Sequence, residues 1–390
     1  MRRHLALPEA SDHPRVAQPL RWYRRHTRHL TTVLARAEPF LHHILEEIER
    51  RDMPSELLLV PIVESGYLAR ARSTGHAAGI WQFIPSTATH FGLDQSWWYD
   101  GRRDIHASTV AALTYLEQLH QRFDEDWLLA LAAYNAGQGT VARAIRRNRE
   151  LGRPTDYWHL DLPQETRKYV PRLLALRALM ADPEAHDVTL PPIPDRPQVE
   201  LVRTGGQIEL AIAARLAGVA PETLKALNPG FERWATPPDG PHHLLVPVDR
   251  AKALRAGLAG LDPEARITWR RHRVRSGDSL GQIAARYDLP VGTLKEVNGL
   301  QGDLIRTGDH LLIPSGPGDE APPVPVASGD GDEDEDEDGP LRHTVRPGDT
   351  LWELARRYAV SVEELTRWND LSPKAVLRPG QTLVVRHTAA

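Results

Sequence analysis

Apolar positions recur at helical spacing through the first half of the chain. They fall at Phe40-Leu41, Ile44-Leu45 and Ile48, then Leu113, Leu116 and Leu119, then Leu128, Leu129 and Ala132. Asp104 is placed to cap a helix over Ile105 to His120, and Asp126 to cap one over Trp127 to Asn135. Gly137 and Gly139 then break the pattern. Pro163 and Glu165 open a last Leu-rich helix, Thr166 to Met180. Strand signals are scarce, so residues 20–180 are expected to form an all-α domain.

Residues 181–200 carry Pro183, Pro191, Pro192, Pro194 and Pro197 and read as a linker. Beyond them the chain repeats itself. His272 to Leu280 matches His343 to Leu351, and the match continues at Ala284/Ala355, Tyr287/Tyr358, Leu294/Leu365, Asn298/Asn369 and Leu300/Leu371. Each copy closes on a short β-type run, Leu311-Leu312-Ile313 or Leu383-Val384-Val385. A degraded copy upstream keeps Leu210 to Arg215, Asn228 and Leu244-Leu245-Val246 but has Thr204-Gly205-Gly206 where the others have a Gly-Asp turn. The expected order in each unit is strand, helix, helix, strand. The organisation is therefore α+β and multidomain, with βααβ modules at 201–249, 270–315 and 341–387. A Pro-rich and acidic linker, 316–340, contains the unbroken acidic run Asp332 to Asp338 and reads as a solvated spacer.

Composition narrows the chemistry. The 390 residues are 41% hydrophobic and 26% charged, enough for more than one buried core. A net charge of −4 gives no reason to expect nucleic-acid binding. There is no cysteine, which excludes disulfides, thiolate catalysis and cysteine-based metal sites. His42-His43 and His242-His243 are adjacent pairs that cannot face one site from a regular element, so no metal or other cofactor is expected. No apolar run is of membrane-spanning length, and the start, Met1 to Val16, lacks a signal-peptide stretch or lipid-anchor cysteine. Membrane attachment therefore has no support in these residues, and a monomer is expected.

The richest segment is Leu57 to Gly92. It places Glu64 at the end of an apolar run, ahead of Gly79-Ile80-Trp81-Gln82-Phe83. A carboxyl among apolar neighbours is driven towards its protonated form, because desolvation penalises the charge. A carboxyl still protonated near neutral pH is what protonation of a glycosidic oxygen requires.

With Pro61-Ile-Val-Glu64-Ser65 and Gly79-Ile-Trp-Gln82-Phe83 stand two further motifs, Ala133-Tyr134-Asn135-Ala136-Gly137 and Leu162-Pro-Gln-Glu165-Thr166-Arg-Lys-Tyr169-Val170-Pro171. Together these residues resemble the lytic murein transglycosylases of the membrane-bound D type, whose catalytic domain has a goose-lysozyme-like fold. The repeats resemble LysM modules, which in that family bind peptidoglycan glycan. The resemblance implies a lyase that cleaves the β-1,4 bond between N-acetylmuramic acid and N-acetylglucosamine and leaves a 1,6-anhydromuramoyl end. It makes Glu64 the single catalytic acid and base. Ser65, Gln82, Tyr134, Asn135 and Tyr169 become substrate-binding positions around it. In the modules it implies glycan contacts at Asp278, Ser279, Asn298, Asp349, Thr350 and Asn369. The substrate places the protein in the periplasm or cell envelope.

Other groups have plainer readings. Asp94, Asp100 and Asp104 are expected to be turn and cap residues, although one of them could be the second carboxylate of a hydrolase. Trp97 and Trp98 fit a sugar-stacking platform or a core equally well, and His76 reads as an incidental surface residue. The first module lacks its turn; packing on the catalytic domain without binding glycan is one reading of it, and the sequence leaves glycan binding there open. Three readings stay open: a lytic transglycosylase, a lysozyme-like hydrolase and a non-catalytic wall-binding protein.

Overall fold

The computed structural model describes residues 5–267, 269–300, 302–314, 341–345, 351–358, 360, 362–369, 371 and 381–386. The chain divides into two compact units, residues 1–320 and 321–390.

The first unit begins with eight helices. They are α1 (Pro14–Arg25), α2 (Thr27–Glu49), α3 (Val60–Ser65), α4 (Pro85–His90), α5 (Ile105–Arg122), α6 (Trp127–Ala136), α7 (Gln138–Glu150) and α8 (Gln164–Ala181). Asp104 and Asp126 cap α5 and α6, accepting from Ala107 N–H and from the Leu128 and Leu129 N–H groups. The domain starts earlier than the periodicity suggests. Val16 of α1 is fully buried, and Glu56 reaches back to accept from the Leu7 N–H at 3.1 Å. The break at Gly137 is a corner between two helices, because α7 starts on the next residue.

The short helix α3 runs through the middle of this domain. The 3-10 turn Ser55–Leu59 leads directly into it, and Leu57, Leu59, Val60, Pro61 and Ile62 are buried. An apolar segment this short gains its stability from packing on α2 and α8 rather than from helix propensity.

Three modules follow. The first has β1 (Val199–Arg203), α9 (Leu210–Ala217), α10 (Pro221–Leu227) and β2 (His243–Pro247), with α11 (Ala251–Ala259) packed on α9. The second has β3 (Trp269–Arg273), α12 (Leu280–Arg286), α13 (Val291–Val297) and β4 (His310–Pro314). The second unit holds the third, β5 (Leu341–Thr344), α14 (Leu351–Tyr358), α15 (Val362–Trp368) and β6 (Thr382–Arg386). In each module the two strands pair antiparallel.

The residues that recur between the copies form a common frame. Asn298 donates to the carbonyls of Leu294 and Leu312 and accepts from the Leu312 N–H, clipping the end of α13 to β4. Asn369 clips Leu365 to Val384 in the same way, and Asn228 clips Leu224 to Leu245 in the degraded copy. Replacing buried Asn228 by Ala strands three backbone partners and is expected to cost about 2–3 kcal/mol. A lowered midpoint in chemical denaturation of the whole chain checks this.

The first module docks on the catalytic domain through the Trp97 to Asp104 segment. Asp100 N–H donates to Gly230 C=O at 2.8 Å, Glu232 N–H donates to Trp98 C=O at 2.8 Å, and Arg103 pairs with Glu232. Trp98 is 5% exposed and packs with Trp234, and the Arg233 guanidinium lies 4.1 Å from the Trp97 ring centre. The tryptophan pair is thus part of an internal interface.

Candidate active site

The site forms where α3, α4, α6 and α8 meet the turn Gly79 to Gln82. Ala78 and Phe83 bridge that turn by paired backbone hydrogen bonds of 3.1 and 3.2 Å. Trp81 is completely buried and donates its indole N–H to Thr109 Oγ1 at 2.9 Å. Anchored by this ring, the turn directs Gln82 into a cleft, at a positive φ of 53° that only a few per cent of non-glycine residues adopt. The Gln82 Nε2 donates to Gly79 C=O at 2.8 Å. Gly79, at φ 79°, lies against α5's leading loop so closely that a Cβ would sit 1.8 Å from the Arg102 carbonyl oxygen.

The cleft has a volume of about 540 Å³, and its lining includes Glu64, Gln82, Tyr134, Asn135 and Tyr169. Five of the residues singled out from the sequence are thereby brought together from four separate segments. Tyr134 donates its hydroxyl to Trp81 C=O at 2.9 Å. Asn135 spends its side-chain carbonyl on the Thr166 hydroxyl at 2.8 Å, which leaves its NH2 group for the cleft. The corner at Gly137, φ 83° and ψ 136°, ends α6 and holds Asn135 at the cleft edge.

Burial pushes the Glu64 pKa up to about 7. The neighbouring negative charge of Glu165 adds to the rise, and the Tyr169 hydroxyl works against it. Tyr134 and Tyr169 are held well above their ordinary values, by burial first and then by the charge of Glu64, so both stay protonated donors. The buried Tyr169 hydroxyl lies close enough to bear on Glu64 but meets strict hydrogen-bond geometry with no protein atom among the described residues. This O–H favours the charged form of Glu64, which it stabilises once the proton is given up.

Ser65 is placed differently. Its hydroxyl donates to Ile80 C=O at 2.9 Å and Pro61 C=O at 3.2 Å, tying α3 to the Gly79–Gln82 turn from the face opposite the cleft. The pattern reading also passed over Glu165, which lines the cleft. Its spacing from Tyr169, one helical turn, is the signal that puts both on one face of α8. Glu165 is exposed and pairs with Arg172 at 2.8 Å.

Asp94, Asp100 and Asp104 do not line the cleft. Asp100 is buried and grips Arg102 with both oxygens at 2.8 Å, while Arg102 also donates to His76 C=O. Asp104 caps α5 and accepts from His243 Nε2 at 2.8 Å.

One cluster among the described residues has donors spaced to hold a cation: His43, Glu47 and His106, contributed by α2 and α5. It lies beside the docked module, where the His106 and His243 rings are 5.7 Å apart. The cluster already closes on itself. His43 Nε2 and His106 Nδ1 share a hydrogen bond at 3.2 Å, Arg50 holds Glu47 at 2.6 Å, and burial brings the His43 pKa down to about 4.

In the second module Asp278 accepts from Arg275 N–H at 2.8 Å and from His272 Nε2 at 3.1 Å, and His272 also meets Tyr287. The backbone bond to Arg275 is the main reason the Asp278 carboxyl titrates below its ordinary value. Ser279 caps α12 and, with Gln282, completes a capping box. The third module repeats the His343–Tyr358 contact at 2.7 Å. Asp349 and Thr350 lie outside the described residues.

Comparison with known families follows the same architecture. The family described as "Transglycosylase SLT domain" matches residues 44–156, "LysM domain" matches 272–314 and 343–386, and "Lytic transglycosylase MltD, LysM-like domain" matches 198–262. Membrane-bound lytic murein transglycosylase D of Escherichia coli (strain K12) is 36% identical over 384 residues, 96% of this chain and 82% of that protein. The chain belongs to this transglycosylase family. It is accordingly a lytic murein transglycosylase, a lyase acting on peptidoglycan, and the wall-binding-only reading falls away. An autolysin of Enterococcus faecalis is 37% identical over 114 residues, 29% of this chain and 14% of its own. The 70 kDa soluble lytic transglycosylase of E. coli is 21% identical over 42% of this chain and 29% of its own, with a TM-score of 0.31.

Proposed function

We propose that Glu64 performs both proton transfers of a non-hydrolytic cleavage of the glycan between N-acetylmuramic acid and N-acetylglucosamine. The observation that carries this reading is a carboxyl poised at about 7 in a cleft whose one other carboxylate among the described residues, Glu165, is exposed and paired with Arg172. Protonated Glu64 gives its proton to the glycosidic oxygen as the bond from that oxygen to C1 breaks. The substrate's own acetamido oxygen stabilises the positive charge at C1. The muramoyl 6-hydroxyl then attacks C1 and passes its proton to Glu64, closing the 1,6-anhydro ring without consuming water. Gln82 and Asn135 offer amide N–H groups to polar sugar without adding charge. Tyr134 and Tyr169 complete the binding wall with O–H groups turned to Trp81 C=O and Glu64, and Ser65 acts from behind α3 by fixing the Gln82 turn.

Within the same proposal the modules bind the glycan at Asp278, Ser279 and Asn298, and at Asp349, Thr350 and Asn369 in the last copy. At Asp278, Ser279, Asn298 and Asn369 the side chains are committed to the frame, so sugar would be met there chiefly by the main chain they set in place. The work is proposed to take place in the cell envelope, on peptidoglycan, by a monomer that uses no cofactor and no nucleic acid. No helix among the described residues is long and apolar enough to cross a membrane.

A hydrolase is the second reading, with Glu165 steering water. Mass spectrometry of muropeptides released from purified sacculi separates the two. Anhydro ends, lighter by one water than reducing ends, are expected, and reducing ends would transfer the role to Glu165. Glu165→Gln is expected to keep anhydro release within about tenfold of wild type, since general acid–base catalysis, worth ~10²–10⁴-fold, would stay with Glu64.

A further inference from the structure

Behind α3 and α8, on the face away from the cleft, runs a second and larger concavity of about 860 Å³. It is bounded by α1, the first turns of α2, α3 and α8. Six arginines and one lysine line it, and no carboxylate does. Arg21, Arg25, Arg36, Arg167 and Lys168 are exposed and form no ion pair among the described residues. This concentration of positive charge stands in a chain whose net charge is −4. Like charges gathered in one concavity raise its potential and are relieved by an anion. The groove also presents apolar surface. Trp22 is 45% exposed and stacked on His26 at 4.3 Å, and Leu68 is 47% exposed.

The groove and the cleft share a wall. Val63 lines both. On α3, Glu64 faces the cleft while Ser65 faces the groove; on α8, Tyr169 faces the cleft while Lys168 faces the groove. What separates them is about one helix diameter, ~10 Å, which three or four extended residues of a peptide can cover. A ligand suited to both sides carries sugar at one end and an extended chain with carboxylates and small apolar groups at the other. Murein has that form, because its muramic acid bears a peptide stem with free carboxylates. A concave groove suits such a chain better than it suits a flat lipid surface.

We propose that this groove is an acidic-peptide subsite that takes the stem of a muramic acid held at the cleft. The proposal rests on the transglycosylase reading and adds a determinant of which murein is cut. The arginines supply planar, bidentate donors to carboxylates, and Trp22 and Leu68 cover the apolar side chains between them.

The test uses the full chain and the triple variant Arg25→Gln/Arg36→Gln/Lys168→Gln, three exposed positions outside the catalytic cleft. Each is assayed on glycan bearing its stems and on the same glycan stripped of stems by an amidase. The expected result is a loss of tenfold or more in kcat/KM on stem-bearing glycan, carried mainly by KM, with unchanged rates on stripped glycan. Equal rates for both proteins on both substrates, or an equal loss on both, overturns the proposal. Binding of a soluble stem tetrapeptide, followed by isothermal titration calorimetry, is expected for the wild type and absent in the variant. That readout stands even if neither glycan is cleaved, in which case the transglycosylase reading fails separately. Loss of binding to phosphatidylglycerol vesicles with unaltered kinetics and unaltered peptide binding would assign the groove to a lipid surface instead.

Discussion

Glu64→Gln is expected to lower muropeptide release from sacculi by about 10²–10⁴-fold, because the amide can neither give nor take the proton that both steps require. The variant is expected to fold, since glutamine keeps the shape and loses only the charge. It should also be more stable than the wild type in alkali. The folded-state pKa of Glu64, about 7, lies above its ordinary 4.5, so the native protein holds a proton there that the unfolded chain has released. Stability therefore falls as pH rises from 4.5 to 7 and levels off above the folded value. Discounting for the partial exposure of this residue, the variant at pH 8 should gain about 1–2 kcal/mol over the wild type, a difference that vanishes towards pH 4.5. Denaturation midpoints at the two pH values measure it. The same titration predicts that kcat/KM of the wild type declines above pH 7, as the acid form is lost. A flat profile between pH 6 and 9 would contradict the role given to Glu64.

Gly79→Ala carries the largest expected structural cost. The added methyl would stand 1.8 Å from the Arg102 carbonyl oxygen, and Gly79 has φ 79°, where a side chain is strained in any case. The Arg102 backbone cannot yield cheaply, because its guanidinium is clamped by buried Asp100 and by His76 C=O. A loss of at least about 3 kcal/mol is expected, combining backbone strain with steric overlap. Thermal unfolding reads the loss, and activity should fall with it, since Gly79 C=O receives the Gln82 amide. A variant within ~0.5 kcal/mol of wild type would mean that the turn has slack that its contacts do not suggest.

Local signals in the chain carried much of the domain plan. Helical periodicity and the caps at Asp104 and Asp126 located α5 and α6, and the repeated residues marked the modules. Their roles were less legible. Asn298 and Asn369 recur because their amides close a helix onto a strand, a function that repetition alone cannot separate from ligand contact. Helix α7 is hidden behind two glycines that break the helical pattern, whereas Gly137 is a corner and Gly139 sits inside the helix. The Trp97-Trp98 pair looked the same as platform or core until Trp234, 136 residues beyond Trp98, closed over it. Glu165 reads as a helix opener from its immediate neighbours, and only its one-turn spacing from Tyr169 signals that it shares the face of α8 turned to the cleft.

The order of domains, the four motifs and the residue types able to do acid chemistry on sugar were readable from the chain, since these depend on neighbours a few positions apart. Folding alone buried Glu64, which pushes its pKa up to about 7, and committed the Ser65 hydroxyl to Ile80 and Pro61 C=O outside the cleft lining. It also spent Asp100 and Asp104 on Arg102 and His243, and gathered cations that form no ion pair among the described residues from three helices into a groove behind the cleft. Desolvation and charge act through space over a few ångströms, whereas Asp104 and His243, for example, lie 139 positions apart along the chain.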